Sequence, residues 1–329
     1  MDNTSKRKSN SQIAALRSII QKLFDEPMMF TITALVVLCI VMALFSPEFL
    51  TSSNISNVLR QVTINSILAT GMTFVIISSR IDLSVGSIMA FSGTMMAAAM
   101  ADFGMPIGVA ILLGILIGAL FGTINGVLIA FAKLPAIIVT LAMMQIPRGL
   151  ALLYTGGYPL NGLPDQFSII GRGYVLGVVP VPVVIMAIVY ILAYIILNHL
   201  AMGRYIYSIG GNEEAVRLSG IKTKLYIILP FVISGITASI GGTIITSRLM
   251  SGQPMAGEGF ELDAIAAVVL GGTDIAGGRG HIVGTLIGAV MLGVLTNGLN
   301  LIGVSPYIQR IFKGLIIIAA VYLSSRKRD

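Results

Sequence analysis

Residues Pro106 to Phe131 read P-I-G-V-A-I-L-L-G-I-L-I-G-A-L-F-G-T-I-N-G-V-L-I-A-F, a run without one charged side chain. A helix needs about 20 apolar residues to cross the roughly 30 Å hydrocarbon core of a bilayer. Lys133 and Pro135 close the run. The same design recurs along the chain: apolar blocks separated by short polar breaks, with charges at the block ends. Charged residues make up 11% of the sequence and apolar ones 56%. Soluble domains carry about 25% charged residues, so the charge needed for a water-facing surface is missing. In lipid, a spanning segment must satisfy its own backbone, and continuous apolar runs do so as helices. The expected fold is therefore an all-α polytopic membrane protein.

Outward from that block, spans are predicted at about Met28–Phe45, Val62–Ser79, Leu83–Met100, Ala136–Tyr154, Tyr174–Leu197, Leu225–Thr246, Leu262–Ala276, Ile282–Leu299 and Tyr307–Leu323. With Pro106–Phe131 this makes about ten transmembrane helices. The block at 262–276 is short and broken by Gly271-Gly272. Thr155–Arg172 reads as a Gly- and Pro-rich loop, partly re-entrant, and Arg248–Glu261 as a polar loop. Ten crossings put a basic tail at 1–27 and another at 324–329 on one side. That side collects 15 of the 21 lysines and arginines. Cytoplasmic loops are enriched in Lys and Arg, so both termini and the polar segment 199–224 are placed in the cytoplasm. The domain reading is one membrane domain, 28–323, between two tails. No cleavable leader is expected, because the first block follows a basic tail and lacks a small-residue cleavage site.

Several chemistries are excluded or disfavoured. Cys39 is the single cysteine, and His199 and His281 lack ligand-spaced partners, so neither a disulfide framework nor a metal site is expected. The formal charge of +7 is scattered over membrane-flanking loops, which argues against nucleic acid. No G-x-x-x-x-G-K-[ST] phosphate loop is present. Asp82 stands beside Arg80, and Asp274 near Arg279, at span edges, so no carboxylate is expected deep in a span. That weighs against ion coupling.

The pathway candidates are the polar residues within spans: Asn65, Thr73, Asn125, Thr140, Gln145, Arg148 and Asn297. Amides and hydroxyls suit a hydroxylated solute. Helix–helix glue worth about 1 kcal/mol each is the competing reading. For Arg148 the alternative is snorkelling to the outer surface. Two irregular stretches lie at the cytoplasmic ends of spans, Ile81–Ser87 and Leu270–Gly280, one in each half. They hint at a distant duplication of two five-helix halves. Asp82 or Ser84 can cap the helix after the first stretch. The second holds Gly271, Gly272, Asp274, Gly277, Gly278 and Arg279. Within 199–224, Asn212 caps a short helix, with Glu213 and Glu214 in its first turn, Arg217 placed to pair with Glu213, and Gly220 at its end. Such a capped amphipathic helix fits a groove on a partner protein.

These motifs carry a resemblance: Gly71-Met72-Thr73 and Ile81-Asp82-Leu83-Ser84-Val85-Gly86-Ser87; Arg148-Gly149 with Tyr154-Thr155; Gly203-Arg204-Tyr205 through Gly210-Gly211-Asn212-Glu213; Arg217-Leu218-Ser219-Gly220; and Gly259–Gly280, G-F-E-L-D-A-I-A-A-V-V-L-G-G-T-D-I-A-G-G-R-G. From Asn54 to Leu323 the chain resembles the membrane permease subunits of bacterial ABC sugar importers, in the branch that handles ribose, xylose and galactosides. The resemblance implies a homodimeric pore in the inner membrane and cytoplasmic ATPase subunits that use ATP, with none bound by this chain. It also implies a periplasmic or lipid-anchored sugar-binding protein and a monosaccharide cargo, ribose first. Residues 210–220 would be the coupling element, and loops 155–172 and 248–261 the docking surface for the binding protein. Asp274 departs from the family pattern, which more often has a small polar residue there. A stand-alone secondary carrier or channel for a small polar solute is the alternative; a membrane-embedded enzyme lacks a set of acids, and a passive scaffold is the blandest option.

Overall fold

The computed structural model describes residues 27–326, so the basic tails lie almost wholly outside the described residues. Those residues form twelve α-helices: α1 (Pro27–Phe45), α2 (Ser52–Ile77), α3 (Val85–Ala101), α4 (Ile107–Ala130), α5 (Ala136–Thr155), the short α6 (Ser168–Arg172), α7 (Val181–His199), α8 (Ala201–Leu218), α9 (Thr223–Leu249), α10 (Phe260–Leu270), α11 (Ile282–Leu301) and α12 (Pro306–Arg326). A two-stranded hairpin, β1 (Tyr174–Val175) and β2 (Val179–Pro180), precedes α7. Six helices, α2, α4, α5, α7, α9 and α11, are long and apolar enough to cross a membrane. The chain is thus an all-α polytopic membrane protein.

The centre is α9, packed against α2, α3 and α4. Its closest neighbour is α4, where Gly114, Gly118, Gly122 and Gly126 recur every four residues along one face. Gly118 abuts Gly235, Gly122 abuts Phe231 and Gly126 abuts Ile228, backbone to backbone. A Cβ on Gly126 would sit 2.7 Å from the Cα of Ile228. Lipid provides little hydrophobic drive between helices, so close van der Waals contact between small residues does the work instead. The lipid-facing side of α4 carries Val109, Leu112, Leu116 and Leu120, all exposed. The opening apolar run therefore has two sides, a glycine side for α9 and a leucine side for lipid.

Four boundaries depart from the sequence expectation. Helix α2 begins at Ser52, ten residues before the apolar block, because Thr51 caps it by accepting from the Asn54 amide at 3.3 Å. Residues 174–180 form the hairpin rather than the start of α7, since Leu176 and Gly177 adopt positive φ and turn the chain. Loop 155–172 contains a 3-10 turn (Asp165–Phe167) and α6, anchored by the fully buried Phe167. Helix α10 stops at Leu270, short of the expected Ala276, because Gly272 takes a left-handed φ of 84°. Its 11 residues reach only about 16 Å, half a bilayer. The segment before it is no surface loop: Gly252 packs on Thr94 and Ala97, and Gly257 on Gly86 and Met89, so it runs inward along α3.

Candidate functional site

Two regions concentrate polar groups. The first is the face that carries α8. Helix α8 breaks at Asn212 (φ −159°, ψ 97°), and the Asn212 side chain accepts from the Ala215 amide at 3.0 Å. The expected capped helix is thus present, and Gly220 (φ 82°) ends it. The ion pairing differs from expectation. Arg217 binds Glu214 rather than Glu213, with Nε to Oε2 at 2.9 Å. That hydrogen bond holds the Glu214 carboxyl below the usual carboxylate range. Glu213 is left to turn away, and its Oε2 accepts from Arg80 Nη2 at 2.6 Å across to the turn after α2. The spacing of 213 to 217 could not show a better partner 133 residues away in sequence.

The glycine-rich segment closes the same face. Gly278 N donates to the Ile77 carbonyl at 2.9 Å, and Gly210 sits against both residues. Gly277 (φ 89°) and Gly278 (φ 73°) need the left-handed region, and a Cβ on Gly277 would come within 2.7 Å of Ser79. Asp274 Oδ1 accepts from the Ala276 amide at 2.9 Å, and its own amide donates to the Arg279 carbonyl. Gly271 meets Gly284 at the start of α11. Three segments, 77–84, 210–217 and 271–280, therefore share one joint.

Beneath the joint lies a correction. Asp82, which the sequence places at a span edge beside Arg80, has no exposure at all. Its carboxylate accepts from the Ser84 amide at 3.0 Å, the Ser84 hydroxyl at 2.5 Å and the Ser234 hydroxyl of α9 at 2.8 Å. It therefore caps the Ser84 amide and clips the turn to α9, while its neighbour Arg80 points outward to Glu213. Asn125 Nδ2 donates to Ser84 Oγ at 2.9 Å.

The second region lies inside the bundle, where the inward segment meets the start of α10. Arg148 of α5 donates through Nη1 to the carbonyls of Pro254 and Ala256, each at 2.7 Å. This explains how a helix containing Pro147 carries an arginine: the guanidinium satisfies carbonyls left open by an unwound segment. Asp263, in the first turn of α10, pairs with Lys313 of α12 at 2.8 Å. Asn65 Nδ2 lies 3.5 Å from the same carboxylate oxygen. Asn65 is the middle of α2, about 20 Å from either end. Carboxylates therefore do lie deep in the molecule, at Asp82 and Asp263. Asp263 escaped notice because it stands second in the block from Leu262, where a charge reads as a span edge.

The other pathway candidates are distributed as follows. Asn297 and Asn54 exchange amide hydrogen bonds of 2.8 and 3.0 Å, both buried. The Thr73 and Thr285 hydroxyls meet at 2.8 Å between α2 and α11. Thr140 donates to Ala136 O at 2.9 Å and reaches Ile81 O at 3.3 Å. The first two pairs join helix to helix, and Thr140 ties α5 to the turn after α2. Gln145 is exposed on α5, one turn before Arg148. Arg148 is brought to the unwound segment, and Asn65 to Asp263 of α10, which also binds Lys313; sequence reasoning missed the last two.

Comparison with known proteins agrees with this architecture. The chain is 49% identical over 295 residues to the ribose import permease of Bacillus subtilis, covering 89% of this chain and 91% of the relative. It is 48% identical over 302 residues to the ribose import permease of Escherichia coli K12 (91% and 94%). With the L-arabinose transport system permease of the same organism it shares 39% over 308 residues (93% and 92%). A family described as "Branched-chain amino acid transport system / permease component" matches residues 54–321. The match runs from α2 into α12, and the chain belongs to this permease family.

Proposed function

We propose that this chain is the membrane-spanning permease of an ATP-driven importer, which passes a monosaccharide, ribose first, into the bacterial cytoplasm. The observation that carries the reading is near-half identity to ribose import permeases across almost the full length of both chains. The chain itself performs no covalent chemistry; hydrolysis belongs to a partner ATPase, and an extracytoplasmic binding protein delivers the sugar. Two copies form the pathway between them. The α8 face is cytoplasmic, with both termini on that side, since α1 starts beside Leu270 (Thr31 Oγ1 to Leu270 O, 2.8 Å) and α12 runs back from the opposite face. The count is then ten crossings, with segment 250–259 and α10 together making one broken crossing. The two α8-face turns, 78–84 and 271–280, sit one in each five-helix half.

In this reading the helix capped by Asn212 seats in a groove of the ATPase, and Arg80–Glu213 carries its displacement to the turn that Asp82 clips onto α9. A ligand shifts a two-state pore only by its differential affinity for the two states, so nucleotide-bound ATPase and loaded binding protein must favour different arrangements of the same joint. The deep pair Asp263–Lys313 reopens the case for a stand-alone ion-coupled carrier, because the acid such a carrier needs is present. Vesicles holding this chain, the ATPase and the binding protein decide between them. Ribose-stimulated hydrolysis with uptake that stops without ATP supports the importer. Ribose flux by the chain alone, driven by an ion gradient, overturns it.

A further inference from the structure

Charged side chains at mid-depth in a membrane are rare and mark substrate or ion routes by default, and here one such pair has bonding capacity left over. Asp263 receives one short hydrogen bond, from Lys313, and a long one from Asn65. A carboxylate can accept about four, and an ammonium can donate three. Asn65 Oδ1 is shielded from solvent and has no partner. The three groups come from three helices, α2, α10 and α12, and Asn65 and Lys313 converge on one oxygen of Asp263. They are not sealed in the core: the Lys313 side chain keeps 26% of its exposure, and the neighbours Glu258 and Leu262 are exposed. The pair has no net charge, so a neutral solute can join it without leaving an unbalanced charge in the bilayer. The unused capacity is two acceptors (Asp263, Asn65) beside a donor (Lys313), which matches adjacent hydroxyls of a sugar.

We propose that Asp263, Asn65 and Lys313 form the mid-membrane station of the pathway, taking a vicinal hydroxyl pair of the monosaccharide during its passage. This rests on the importer reading above and adds where in the membrane the sugar is held. Asp263 and Asn65 accept from the hydroxyls, and Lys313 donates to a hydroxyl or ring oxygen. A purely structural pair, stapling α12 to α10, is the competing explanation. A buried pair is strongly destabilised by removing one partner only, so single-charge deletions would not separate the two.

The test uses the full assembly in vesicles, with ribose-loaded binding protein, and reads sugar moved per ATP hydrolysed beside the thermal midpoint of the purified chain. Three variants are compared with wild type: Asn65→Leu, the double neutral D263N/K313M, and the swap D263K/K313D. The station requires Asn65→Leu and the double neutral to lower sugar per ATP about tenfold while binding-protein-stimulated hydrolysis stays within about twofold. The swap restores the midpoint but not the sugar per ATP. A staple predicts the reverse: Asn65→Leu behaves as wild type and the swap recovers uptake fully, which would overturn the station. Absence of ATP-driven uptake in the wild-type chain would instead remove the importer reading, and the station with it.

Discussion

At the scale of single residues, Arg80 and Asp82 show how two positions two apart take opposite roles. Arg80 reaches outward to Glu213 on α8, and Asp82 turns inward to Ser84 and Ser234. The Arg80–Glu213 pair is partly exposed, with side-chain exposures of 14% and 47%, so its worth to stability is about 1 kcal/mol or less. Its role is positional. Glu213→Arg is expected to leave membrane insertion intact and to lower sugar-stimulated ATPase activity about tenfold. Arg80→Glu added to it should recover much of that loss, as read by hydrolysis rates in vesicles. Asp82→Ala acts differently, since it leaves the Ser84 amide and the Ser84 and Ser234 hydroxyls without their acceptor. Each orphaned buried donor costs about 1–3 kcal/mol, so the variant should lose folded yield and thermal midpoint in detergent, whatever partner is present. None of this could be read from adjacency in sequence. Asp82 next to Arg80 looks like a surface pair, and its true partner Ser234 lies 152 residues on.

Among the elements, α4 and α9 set the rigidity of the core. Gly118 and Gly122 pass directly beneath the backbone of α9, so a side chain there separates two helices rather than moving a rotamer. Gly122→Val is expected to lower stability by about 1–3 kcal/mol or more, as overpacking does, measured by thermal unfolding in detergent. Gly108→Val, where an added Cβ meets nothing within 4 Å, should be close to neutral. The spans themselves were legible because a bilayer imposes one severe rule, a long apolar run, and α1, α4, α5, α11 and α12 start within about two residues of where that rule puts them. The rule fails where a local signal outweighs it. Thr51 starts α2 early, the Leu176-Gly177 turn delays α7, and Gly272 ends α10 early. The Asn212 cap and the Gly220 stop were legible for the same reason in reverse, since capping chemistry is local. Which carboxylate Arg217 would choose was not, because Glu213 had a distant competitor.

For the molecule as a whole, the α8 face is where the chain is tied together, and the break before α10 is where the proposed sugar station lies. Transport couples the two. The three segments that meet at Gly210, Gly278 and Ile77 approach too closely for added side chains, so Gly278→Val, at a φ of 73°, should uncouple as well as destabilise. Hydrolysis without uptake and a lowered midpoint would report both. A cysteine placed at Asn212, in a chain with Cys39 replaced, should react with a membrane-impermeant thiol reagent from the cytoplasmic side only. Reaction from outside intact cells would invert the topology. The most direct test of the account is ribose accumulation in vesicles assembled from this chain, its ATPase and its binding protein. The account predicts accumulation against a gradient that requires ATP and the loaded binding protein together. Ribose entry through the chain alone, at the same rate without either partner, would contradict it.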